Sequence, residues 1–210
     1  NSNFSTGKTF TGVPINDAAI PMGAARDQVS GSPPTYFVRT FPTNATTSGT
    51  TLAKSPGDFD SAYSFVDIND AGLVVGNGLI GGSASTKLFA GYASPTTIVA
   101  TYPISAPALR PQLSADGKIV VRNNVNQIVT YAFPSPVPTV VAGAAGGFTS
   151  VGRAPGISKE GKDVAFAASK GGKRGIYSSL LTPSGPQTFL AAEEGSGGVV
   201  TIDDLQRIAV

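Results

Sequence analysis

The sequence predicts an all-β fold, a β-propeller built from four-stranded repeats of about 45 residues. Three observations point there. One short phrase returns five times: INDAAI (Ile15–Ile20), INDAGLVV (Ile68–Val75), LSADGKIVV (Leu113–Val121), ISKEGKDVAF (Ile157–Phe166) and IDDLQRIAV (Ile202–Val210). Its leading aliphatic residues, Ile15, Ile68, Leu113, Ile157 and Ile202, stand 53, 45, 44 and 45 positions apart. Between copies, two further β-branched or aromatic segments recur in an order that never changes. Finally, 26 Gly and 16 Pro in 210 residues, with no sustained 3.6-residue apolar period, leave almost no room for helix.

Each element follows from local chemistry. An aliphatic residue closes a first strand, a polar turn follows, then a small residue, then a second strand. Asn and Asp tolerate left-handed backbone and bond to their own main chain, while Gly takes positive φ without a Cβ clash. The expected turn residues are Asn16, Asp17, Asn69, Asp70, Gly72, Ser114, Asp116, Gly117, Ser158, Gly161, Asp203 and Asp204. Asn69–Gly72, Ser114–Gly117 and Ser158–Gly161 each read as the tip of a tight hairpin. The second strands are Leu73–Val75, Ile119–Val121, Val164–Phe166 and Ile208–Val210, continuous apolar runs suited to burial on both faces.

Third strands fall at Tyr36–Val38, Leu88–Ala90, Ile128–Thr130 and Ile176–Ser178. Fourth strands fall at Thr51–Ala53, Thr97–Val99, Thr139–Val141 and Thr188–Leu190. The leading apolar residues of this last set, Leu52, Ile98, Val140 and Phe189, are 46, 42 and 49 apart. Proline in the joints Ser94–Thr96, Pro134–Pro136 and Thr182–Pro186 ends one strand and keeps its missing N–H out of a central ladder. Ala24–Pro34 and Pro42–Thr50 read as the longest loops, while Gly143–Gly147 and Gly195–Gly198 read as connectors.

The phrases INDAGLVV and ISKEGKDVAF resemble the tandem NxxGxxAF repeats of bacterial secreted and surface-anchored proteins. The resemblance is closest at Asn69–Val75 and Ser158–Phe166, and it implies an exported β-propeller with no established chemistry attached to the repeat. The chain departs from the motif where Ser114, Ser158 and Asp203 replace Asn, and where Ala19 and Gln206 replace Gly. An extra residue, Asp163, lengthens the fourth copy.

Four full periods separate Ile15 from Ile202. A single propeller over residues 1–210 then has about five units, the fifth completed by both ends, Phe4–Val13 and Val199–Val210. Closure of this kind pairs edges that an open array leaves bare. Two alternatives remain: a fragment of a larger propeller, or chain-end strands that pair with neighbouring copies to give a homo-oligomer or filament.

Composition excludes several functions. The absence of His and Cys removes Ser-His-Asp triads, Cys-His dyads, disulfides and thiolate or imidazole zinc sites. A net charge of +2 is too small to argue for nucleic acid, and Lys170, Lys173 and Arg174 read as solvating a glycine-rich turn. The longest aliphatic-rich run, Val137–Ala145, is broken by Pro and Gly and far short of a membrane span. Low charge with abundant Ser, Thr and Gly suggests a secreted or cell-surface protein whose signal segment is already gone.

Few side chains remain for chemistry. Asp58 and Asp60 can flank a glycosidic bond as acid and nucleophile, although they also read as an ordinary solvated loop. The acidic groups at Asp67–Asp70, Asp203–Asp204 and Glu193–Glu194 can ligate calcium, but none has EF-hand spacing. Equivalent turns exchange Asp for Ser and Lys, so turn formation explains them better and no metal or cofactor is expected. Tyr36, Tyr63, Tyr92, Tyr102, Tyr131 and Tyr177 can stack on sugars or pack between sheets, and the absence of Trp favours packing. The expectation is a non-catalytic extracellular binding or scaffold module for a protein or polysaccharide. The alternatives are a strand-exchanging subunit of an assembly, and a carboxylate-dependent glycan-active enzyme.

Overall fold

In the copies of the phrase that open at Ile68, Leu113 and Ile157, the second strand begins within one residue of its expected start. The computed structural model describes residues 22–27, 35–40, 50–55, 61–62, 67–79, 85–92, 96–103, 110–194, 201–202 and 208–209. Among these residues the chain is strand, turn and one 3-10 turn at Ala144–Gly146, with no α-helix. It divides into two compact units, Asn1–Ile104 and Ser105–Val210.

The first unit holds two antiparallel sheets. One contains β1 (Met22–Asp27), β2 (Thr35–Thr40) and β3 (Thr50–Ser55) in chain order. Residues 24–27, expected as loop, pair instead with 35–38, because the ladder to the third-strand segment outweighs a composition poor in β-formers. In the second sheet, β4 (Ser61–Ala62) and β5 (Asp67–Ile68) both lie along β6 (Val74–Leu79), followed by β7 (Ser85–Gly91) and β8 (Thr97–Pro103). Leu73, Val74, Val75, Leu88, Phe89 and Ala90 are buried, as continuous apolar runs require.

The second unit repeats the pattern. Strands β9 (Gln112–Leu113), β10 (Lys118–Arg122), β11 (Ile128–Ala132) and β12 (Thr139–Ala142) form a four-stranded meander. The next sheet begins with a first strand broken into β13 (Phe148–Val151) and β14 (Gly156–Ile157), both paired to β15 (Asp163–Lys170). It continues through β16 (Lys173–Thr182) and β17 (Gly185–Glu193). A final pair, β18 (Thr201–Ile202) and β19 (Ile208–Ala209), flanks the last phrase.

Register repeats more faithfully than sequence does. The second and third strands pair Gly23 with Arg39, Gly76 with Phe89, Val121 with Val129 and Phe166 with Tyr177. At that same step the pairing to the fourth strand shifts, leaving Leu52, Val99, Val141 and Ala191 as extra residues of a bulge. A bulge at a sheet edge bends and twists the strand and makes it a poorer template for further pairing. The equivalent fourth-strand positions are therefore Thr51, Ile98, Val140 and Leu190. The expected leading residues Leu52 and Phe189 each sit one place off, because a bulge is invisible until the partner strand is known.

The core of the second unit lies between its two large sheets. Val120, Ile128 and Val141 on one side meet Phe148, Val151, Val164, Phe166 and Tyr177 on the other. Phe148 packs edge-on to Phe166 at 5.7 Å and to Tyr177 at 5.1 Å between ring centroids, an arrangement that suits their quadrupoles. The Tyr177 hydroxyl leaves the core and donates to the Lys173 carbonyl at 3.2 Å.

Candidate functional site

Three described copies of the phrase close in one way. Gly72 N–H donates to the Asn69 carbonyl at 3.0 Å, Gly117 N–H to Ser114 at 3.2 Å and Gly161 N–H to Ser158 at 2.9 Å. The three glycines have φ of 80°, 83° and 67°, the left-handed region that costs other residues a Cβ clash. The hairpin ladder then closes from Asn69 N–H to the Leu73 carbonyl and from Ser114 N–H to Lys118. In the third copy Ser158 N–H donates to the Asp163 carbonyl. Asp163 thus opens β15, and the inserted residue is Lys162 in the loop.

The side chain that begins each turn supplies one acceptor. Asn69 Oδ1 accepts from Leu73 N–H at 3.0 Å, and Ser114 Oγ accepts from Lys118 N–H at 2.9 Å. Ser158 Oγ accepts from both Lys162 and Asp163 at 3.2 Å. Asn and Ser are interchangeable here because the turn needs only an oxygen on a short side chain. Asp70 is exposed at its tip. Asn16, Asp17, Asp203 and Asp204 lie outside the described residues, as do Asp58, Asp60 and Tyr63.

In the second unit, two successive turns touch. Ala115 N–H donates to the Lys159 carbonyl at 2.8 Å. The Asp116 carboxylate lies against Gly161, where any Cβ would collide with its Oδ1. Ser114 Oγ and Lys118 Nζ both donate to Asp116. Partial burial pushes the Asp116 carboxyl up, but hydrogen bonds from Lys118 and Ser114 and the Lys118 charge outweigh it, holding the group below its ordinary value.

Beside these turns, an open groove of about 320 Å³ runs between the two large sheets of the second unit. Lys118, Thr130, Tyr131 and Ala132 line it from β10 and β11, and Val137 and Thr139 from the joint before β12 and its first residue. Leu181, Thr182, Pro183 and Pro186 form the opposite wall, at the β16–β17 turn. That turn is fastened internally, since Thr182 Oγ1 donates to the Gly185 carbonyl at 2.7 Å. Val137 is 72% exposed, an apolar side chain held out at the groove. The sequence marked both joints only as strand ends; two proline-bearing joints in consecutive repeats were the available signal.

Other expected sites have ordinary partners. Asp67 Oδ1 accepts from Ile68 N–H at 3.0 Å. Glu193 and Glu194 pair with Lys173 at 3.0 Å and Arg174 at 3.2 Å across β16 and β17. Those two cations, expected merely to solvate a turn, are thus held by register, and Lys170 Nζ lies 4.9 Å above the Phe148 ring. Among the described residues no three His, Cys, Asp or Glu side chains come together as a metal group. Tyr102, Tyr131 and Tyr177 are buried, while Tyr92 is 54% exposed. Among the same residues no helix is long and apolar enough to cross a membrane.

No protein-family model matches this chain, and no curated protein matches it in sequence. Solved structures do. The chain is similar to one assigned as TolB from Agrobacterium tumefaciens, with a TM-score of 0.51 and 13% identity over 76% of this chain and 57% of that one. It is also similar to TolB from Acinetobacter baumannii, with a TM-score of 0.50 and 14% identity over 89% of this chain and 44% of that one. Both neighbours are β-propellers. At such identities the likeness is one of fold, and the chain spans about half the length of either neighbour.

Proposed function

We propose that this protein is a non-catalytic, secreted or cell-surface β-propeller that binds a protein partner through the groove beside its stacked turns. The fold of its neighbours supports the propeller architecture. On this reading the repeats form about five units, and β18–β19 supplies two of the four strands of the last. The carrying observation is the groove itself: Val137, Leu181, Pro183 and Pro186 present apolar surface held by closed turns on both sides. Such a surface suits an extended peptide, whose apolar side chains it can desolvate. A sugar needs an aromatic face instead, and the groove tyrosine, Tyr131, is buried.

Selection of peptides from a random library against the wild-type protein, with Val137→Asp as the counter-target, tests this. Bound peptides are expected to lose affinity at least about tenfold on the variant, since a charge replaces a desolvated contact. Peptides that bind both proteins equally, or a selection yielding none, would remove the groove from the account.

A second reading is favoured by β18–β19, a two-stranded sheet with the pairing of half a unit. Completion by a neighbouring copy would make the protein a subunit of an assembly. Light scattering after size exclusion separates the two: a sealed ring runs as a monomer at all concentrations, and a strand-exchanging chain does not.

A further inference from the structure

At the opposite end of β10 from the groove, two arginines share a site that the repeat does not require. Arg122 ends β10, is half-buried, and pairs across the sheet with Ile128. The same register position is Asn77 opposite Leu88 in one sheet and Ala167 opposite Ile176 in another. A strand end that accepts Asn, Arg or Ala does not need a guanidinium for folding.

The surroundings of Arg122 are built. Its Nη2 donates to Asn126 Oδ1 at 2.8 Å, and Asn126 is held in left-handed backbone with φ of 62° at the β10–β11 turn. Asn123 fixes that turn by accepting from Val125 N–H at 3.1 Å and Gln127 N–H at 2.9 Å. Asn126 Oδ1 also accepts from Val151 N–H at 3.4 Å, which fastens the turn to β13. Two residues on, Arg153 occupies the detour that separates β13 from β14, anchored by Gly152 N–H donating to the Ala167 carbonyl at 2.6 Å. Arg122 Nε is buried and has no hydrogen-bond partner. Neither arginine has a carboxylate partner among the described residues; Asp116, Glu193 and Glu194 pair with Lys118, Lys173 and Arg174.

Burial and the Arg153 charge both lower the Arg122 guanidinium from its ordinary value, so the two cations are close enough to repel. A buried donor without an acceptor is unfavourable, and so are two like charges close together. A bound anion offsets the repulsion. We propose that Arg122 and Arg153 form an oxyanion-binding site that takes a carboxylate or phosphate group of a ligand. Guanidinium forks match the oxygens of either group, and charge-assisted bonds of this kind are short and strong.

The site is independent of the groove and is tested on the full chain by following the Arg122 Nε–H resonance in nitrogen–proton correlation spectra. Sodium acetate and sodium phosphate are titrated separately, with sodium chloride holding ionic strength constant. A saturable shift with acetate identifies a carboxylate site, and one with phosphate identifies a phosphate site. Arg153→Gln changes an exposed side chain and is expected to weaken that Kd at least about tenfold. Lys170→Gln, which removes an equal charge elsewhere, is expected to leave it unchanged. Shifts no larger than those in chloride, or equal binding by Arg153→Gln, would overturn the proposal.

Discussion

The sheet containing β6 and β7 and the sheet containing β15 and β16 fill one register position in opposite ways. Gly76 faces Phe89 in the first, and Phe166 faces Tyr177 in the second, while Val121 and Val129 take the middle course in the sheet between them in sequence. A Cβ on Gly76 would lie 2.7 Å from Phe89 Cζ, so the glycine leaves the space that the ring occupies. In the other sheet two rings coexist, 6.2 Å apart and nearly parallel, because Phe148 wedges edge-on against both. The lesson is that the repeat conserves a pair position and its register, while total side-chain volume is settled sheet by sheet.

The widest expected difference comes from emptying that position. Phe166→Ala removes a fully buried ring touching Phe148 and Tyr177, and is expected to cost about 3–5 kcal/mol in urea unfolding. Val121→Ala deletes far less buried surface and is expected to cost about 2 kcal/mol, counting buried methyl groups. Equal losses at the two sites would mean that the aromatic cluster adds nothing to its sheet.

A sharper test exchanges the solutions. Gly76→Val overpacks against Phe89 and is expected to destabilise by about 1–3 kcal/mol. Adding Phe89→Val recreates the valine pair of Val121 and Val129, so the double variant is expected to recover stability, with a coupling of about 1–3 kcal/mol in the thermodynamic cycle. Additive losses in the cycle would show that the two positions do not share one volume.

These pairs also mark how far the sequence could be read. Strand identity was legible because the phrase couples an acceptor side chain, a left-handed glycine and a buried run, all local features within eight or nine residues. Residues 24–27 and the fourth-strand bulges were not, since both depend on pairing with a separate strand and not on the local run of residues. The groove combines Val137 with Pro183, and only the packing of two sheets brings them to one wall and the other. Arg122 carried no signal at all: its meaning lies in what Asn77 and Ala167 do not do at the same register.

The smallest expected effect concerns the turns, where the two units can be contrasted. Gly72 has open space around its absent Cβ, whereas Gly161 is packed against the Asp116 carboxylate. Asp116 titrates below its ordinary value, so its folded pKa lies under that of the unfolded chain, about 3.9. The sign follows: its contribution is fully present above about pH 4 and is lost as pH falls through the folded value. Because the group is partly exposed, solvent screens much of that contribution. Asp116→Asn keeps the shape and abolishes the titration. Wild type is therefore expected to exceed the variant slightly in Tm at neutral pH, with the gap closing in acid. A gap that stays constant from neutral pH into acid would show that the carboxylate's charge plays no part in holding its turn.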